Sequence, residues 1–104
     1  MVRYEGGKGA SFKDAIIIKG AINNQEGVKA EYQYINSLYG KRGVDWEFAE
    51  QSFVEKENRD YDILQILIFT SGKQKKLFYF NITEFFGKYD GMFGEPIYTS
   101  GTYN

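Results

Sequence analysis

The chain has 104 residues, 26% of them charged and 18% aromatic, with a formal net charge of −1. That is enough chain for one domain with a buried core of its own. It contains no cysteine and no histidine, which excludes disulfides, thiolate metal sites and the imidazole-based catalytic pairs.

Charge is distributed unevenly. Residues 1–44 hold seven basic and four acidic side chains, residues 45–62 two basic and seven acidic, and residues 63–104 four basic and three acidic. The chain therefore has an acidic middle and no basic footprint of the kind that holds nucleic acid, so no nucleic-acid partner is expected. The opening "MVRYEGGKGASFKD" has no apolar run ahead of a small-residue cleavage site and is not read as a secretory leader. The longest apolar runs, "AIII" and "ILIF", fall far short of the roughly 20 residues of a membrane span. The expectation is a cytoplasmic protein with no membrane association, no cofactor and no metal.

Residues 1–12 read as a flexible N-terminal segment. Within them "EGGKGAS" has the texture of a phosphate loop, but Lys8 is followed by Gly9 where that motif needs Ser or Thr, and no strand is evident before it. From Lys13 to Ala21, "KDAIIIKGA" predicts a strand. A short helix capped by Ser11 is the rival reading, and three consecutive isoleucines argue against it because branching at Cβ restricts χ1 in a helix.

A helix is predicted from about Gln25 to Tyr39. Asn23 or Asn24 can cap it, Glu26 suits its positive end and Gly40 stops it. Val28, Tyr32, Ile35 and Leu38 or Tyr39 recur at spacings of three and four and form its apolar stripe, with Glu31 and Gln33 off that stripe.

The next stretch, "VDWEFAEQSFVEK", alternates with Val44, Trp46 and Phe48 on one side, then shifts parity before Phe53. This predicts a strand with a bulge near Glu50 to Ser52. "KENRD" is a polar turn. "YDILQILIFT" is apolar on both faces and reads as a central strand. A turn at Ser71-Gly72 leads to "KKLFYFNIT", in which Leu77, Tyr79 and Asn81 point one way and Phe78, Phe80 and Ile82 the other. Thr83 is placed to cap a short helical turn at "EFFG". Residues 87–104, rich in Gly and aromatic side chains with the only Pro, read as a C-terminal arm.

The predicted fold is α+β. One helix packs on a mostly antiparallel four-stranded sheet in the order β-α-β-β-β, with residues 13–86 as the domain. The order of elements resembles the cystatin-like helix-on-sheet arrangement, an analogy of architecture that implies no function.

Function is carried by two features. Seven aromatic rings crowd residues 76–94. Alternation sends some of them under the helix, and the remainder, with Phe85, Phe86, Tyr89 and Phe93, are expected to face a partner. The second feature is the acidic stretch, a mostly solvated run suited to a basic protein surface. The reading is a non-enzymatic protein-interaction module, as a complex with another protein or a homodimer. The alternative is a small-ligand binder or hydrolase in a pocket between helix and sheet. It would use Asp62, which enters an otherwise apolar strand where burial disfavours a charge, together with Tyr32 and Tyr79. The "NIT" sequon at Asn81 and the carboxylates as a cation site are both set aside. The first lies at the end of an aromatic strand, and the second lacks the calcium-loop pattern.

Overall fold

The computed structural model describes residues 1–70 and 72–87. Its elements are strand β1 (Arg3–Gly6), strand β2 (Ile16–Lys19), helix α1 (Asn24–Tyr39), and strands β3 (Trp46–Lys56), β4 (Arg59–Ile68) and β5 (Gln74–Asn81). The strands form one five-stranded sheet in the order β1-β2-β5-β4-β3. The α+β class and the single helix agree with the sequence reading, and β3, β4 and β5 form the expected antiparallel meander.

Two features differ. Residues 3–6, expected within a flexible segment, form β1 and pair antiparallel with β2 from Arg3↔Lys19 to Gly6↔Ile16. β2 then joins β5 in parallel, through Ile16↔Phe80 and Ile17↔Asn81, so the sheet is mixed and five-stranded. The reason is non-local. A four-residue segment in which every residue is exposed has no hydrophobic pattern of its own, and it becomes a strand because β2 offers it a free edge.

The meander is set by local chemistry. Glu57 and Asn58, both at positive φ, make the two-residue turn between β3 and β4, a conformation that right-twisted hairpins favour. The register of β3 on β4 shifts between Phe48 and Glu50, close to the predicted bulge. Before the shift Trp46 and Phe48 face the helix. After it, Gln51, Phe53 and Glu55 share that face, because each lies opposite an even-numbered residue of β4.

Helix α1 begins where predicted. The Asn23 side chain accepts from the Glu26 N–H at 2.9 Å, and Glu26 accepts in turn from the Ile22 N–H. Gly40, at positive φ, donates its N–H to the Asn36 carbonyl and ends the helix. Of the predicted stripe, Ile35 is buried and Tyr32 and Tyr39 pack against the core, but the inward face of the helix is centred nearer Gly27 and Glu31 than predicted. Its buried residues are Gly27, Ala30, Glu31 and Ile35, while Val28 and Leu38 are exposed. Gly27 explains part of this. A Cβ at Gly27 would lie 2.2 Å from the Phe85 ring, so the missing side chain makes room for that ring over the first turn. Phe85 was expected to face a partner. It is a core residue instead, 1% exposed.

The core lies between helix and sheet, with Ile16, Ile18, Ile35, Trp46, Leu64, Ile66, Phe78 and Phe80 buried together. Tyr34 sets its ring edge against both Phe78 and Phe80. From β1, Tyr4 meets Tyr34 and donates its hydroxyl to the Ala30 carbonyl at 2.7 Å, so the unpredicted strand also holds the helix. Trp46 is fully buried, with its indole N–H donated to Asn36 Oδ1 at 3.0 Å. The rings of Trp46 and Phe48 lie 6.0 and 6.3 Å from that of Tyr32. Trp46→Ala is expected to cost about 3–5 kcal/mol, the range for removing a large buried aromatic. A urea unfolding midpoint in that variant close to the natural one would place Trp46 outside the cooperative core.

Candidate functional site

Two groups of carboxylates are built by the same hairpin. The first is buried. Asp62 of β4 is 3% exposed and lies across the sheet from Phe53 on β3 and Phe80 on β5. Above it, Glu31 of α1 is fully buried, and as an ionised group it finds no hydrogen-bond donor for either oxygen among the described residues. Gln51 donates its side-chain amide to Asp62 at 2.7 Å.

Two carboxylates cannot both stay charged in such a place. Burial, then the charge of Asp62, then a hydrogen bond to Asp62 push the Glu31 carboxyl up to about 10. Glu31 is therefore protonated at neutral pH, and its proton makes the hydrogen bond to Asp62 that two ionised groups could not make. The carboxyl with the strong perturbation is Glu31, a residue expected to lie outside the apolar stripe. Its signal was the isolated glycine four residues earlier. Gly27 inside a helical pattern points to a close-packed face, and Glu31 is the next residue on that face.

Tyr32 flanks the pair. Burial raises its phenol, against the lowering effect of Arg42, whose guanidinium lies over the Tyr32 ring at 5.0 Å. Tyr79 does not join them. It pairs with Ile63 and so projects from the opposite face, where its ring meets Phe12 at 5.0 Å. Of the three residues expected to line a pocket between helix and sheet, Asp62 and Tyr32 are brought together and Tyr79 is not. An open cleft does exist on the Tyr79 side of the sheet, and neither Glu31, Asp62, Tyr32 nor Tyr79 lines it.

The second group lies nearer the surface, with Glu55 exposed and Asp60 half-buried. Glu55 of β3 faces Asp60 of β4 directly across the hairpin. Burial first and Glu55 second raise the Asp60 carboxyl, and neither acid forms an ion pair among the described residues. Elsewhere on the strand Glu47 is satisfied. The Phe48 N–H and then Arg42, at 3.0 Å, hold it below the usual carboxylate range. Near the hairpin, Phe86 stacks on Phe53 at 4.6 Å. Thr83, rather than capping the turn, accepts from the Asp60 N–H and donates to Asn81. Tyr89 and Phe93, and the C-terminal arm from residue 88 on, lie outside the described residues.

No helix among the described residues is long and apolar enough to cross a membrane. Compared with protein-family models, with curated proteins and with solved structures, the chain shows no match.

The protonated Glu31 makes a pH prediction. Its folded value lies above the ordinary carboxylate value, so the folded state holds a proton that the unfolded chain releases. The stability it contributes is complete below about 4.5 and declines as pH rises toward about 10. The slope approaches about 1.4 kcal/mol per pH unit for one proton. Urea midpoints at several pH values from acid to alkaline should fall for the natural chain and be much flatter for Glu31→Gln, with the variant the more stable of the two in alkali. Parallel profiles would mean that Glu31 carries no such proton.

Proposed function

We propose that this chain is a non-enzymatic protein-binding module whose acidic hairpin, β3 with β4, receives a basic segment of another protein along the outer edge of β3. The observation that carries the reading is the Glu55–Asp60 pair. Like charges directly opposite on a hairpin destabilise it, and here one of them, Glu55, stands on the edge strand, with no ion pair to either acid among the described residues. A partner's Lys or Arg would supply what the fold leaves out.

The setting supports this. β3 is 11 residues long and is the edge strand on its side of the sheet. Its outer backbone groups are therefore open to a further strand, a common mode of peptide recognition. Charge argues against a second copy of the chain at this edge, because two such strands would place Glu50 and Glu55 against acids of the same kind. The buried pair argues against a hydrolase. A general acid must come within hydrogen-bond reach of the group it protonates, and Glu31 and Asp62 are closed off by helix and sheet.

Two measurements test the reading. Glu55→Gln should raise stability by about 0.2–1 kcal/mol by relieving the repulsion, and a loss of stability would show that the pair is compensated. Affinity capture from extracts of the source cells should retain a basic protein on the natural chain and lose it on the charge-reversed Glu50→Lys, Glu55→Lys variant. The same set of proteins retained by both would remove the hairpin as the contact.

A further inference from the structure

We propose that the cleft on the sheet face opposite the helix binds a small oxyanion carried on a flat ring, such as an aromatic carboxylate or phosphate ester. The cleft has a volume of about 820 Å³ and lies where the loop between β1 and β2 crosses the ends of β2, β4 and β5. Its charge is the first argument. Lys13, Lys19 and Arg59 line it, against Asp14 and Glu84. Both acids are already engaged. Asp14 accepts from the Ala10 N–H at 3.1 Å, and Glu84 accepts from the Gly20 N–H at 2.6 Å and meets Lys19 at 3.8 Å. Lys13 and Arg59 form no ion pair among the described residues.

The second argument is the sheet register. Arg59 lies directly opposite Lys56 across the hairpin, a like-charged cationic pair that an anion would relieve. Lys56 is otherwise turned to Glu57 and to the Phe12 ring, 5.6 Å away. The third is the wall. Phe12 stands edge-on to Tyr61 at 4.9 Å, and both line the cleft. Aromatic rings next to uncompensated cations suit a flat body ending in an oxyanion. Asn81 adds a donor. Its carbonyl accepts from the Thr83 N–H and hydroxyl, which leaves its amide hydrogens for a ligand.

This site is independent of the acidic edge. By register, Glu55 and Asp60 lie on the helix side of the hairpin, and Lys56 and Arg59 on the other. The oxyanion end is recognised by Arg59 and Lys13, where a guanidinium can bond two oxygens at once, and the ring by Phe12 and Tyr61.

The test is a titration of the full chain with phenyl phosphate at low salt, followed by amide and arginine side-chain NMR shifts. Inorganic phosphate and benzoate are run in parallel. Saturable shifts confined to the Gly6–Gly7 amides, the Arg59 side chain, Asn81 and Thr83 are expected. Arg59→Ala and Lys13→Ala should each weaken binding by about tenfold or more, and Lys41→Ala, outside the cleft, should leave it unchanged. All three positions are exposed, so the variants keep the fold, which the spectra themselves report. Phenyl phosphate binding more tightly than inorganic phosphate supports the ring wall, and the benzoate arm separates carboxylate from phosphate. The proposal is overturned by no saturable shift at about 10 mM, tenfold above a millimolar constant. Shifts scattered over the surface, or equal binding in the Arg59 and Lys13 variants, would also overturn it.

Discussion

Glu31 must reach Asp62, and that requirement fixes how the helix lies on the sheet. The carboxyl is fully buried, and its only route to a satisfied state is to keep a proton and share it with its neighbour. A rotation that centred the stripe of Val28, Tyr32, Ile35 and Leu38 on the sheet would bury more hydrocarbon. In the observed rotation Val28 and Leu38 are exposed, and Gly27, Ala30, Glu31 and Ile35 face inward. Two small residues let the helix come close, and Phe85 fills the space that Gly27 leaves. A buried acid pair is a poor source of net stability. Its effect here is on choice of packing: centring that stripe on the sheet would strand Asp62 beneath apolar side chains.

The same pair explains where the sequence was legible and where it was not. Helix ends, the polar turn after β3, the bulge and the interior position of β4 were legible because each rests on a few neighbouring residues: Asn23 and Gly40 for the helix, the polar run around Glu57 and Asn58 for the turn. The inward face of α1 was legible only in part, through Tyr32, Ile35 and Tyr39. Periodicity weighs large apolar side chains, and beside Ile35, which it did place inward, this face is made of Gly, Ala and Glu. β1 and the parallel contact of β2 with β5 were also hidden, because pairing residues 3–6 with 16–19, and those with 80–81, depends on partners distant in the chain. Asp62 was legible as an acid in an apolar strand, yet its counterpart Glu31 reads alone as an exposed helical glutamate. Tyr79 was grouped with Asp62 by residue type, and strand parity separates them.

The hairpin tip divides charge between the two faces of the sheet. Glu55 faces Asp60, and one residue further on Lys56 faces Arg59. Neither arrangement is the one that pairing for stability would choose, since exchanging Arg59 with Asp60 would make two attractive pairs from two repulsive ones. Glu55 of the acidic pair stands on the open edge strand β3, and Arg59 of the cationic pair lines the cleft under Phe12. A hairpin built this way costs the fold a little and presents opposite charges to the two faces of the sheet.

Gln51 links that exposed hairpin to the buried pair. It belongs to the edge strand and donates to Asp62, so β3 is tied to the same carboxyl that Glu31 meets from the helix. To bring a substrate to the Glu31 proton, α1 would have to lift from β4 and β5 and expose Ile35, Leu64 and Phe80, all buried. At about 25 cal/mol for each Å² of apolar surface, opening a core of this size would consume a large part of a small domain's stability of about 5–15 kcal/mol. The proton is therefore held for structure. What the fold leaves open to solvent is charge, negative at the edge of β3 and positive beneath the loop that carries Phe12.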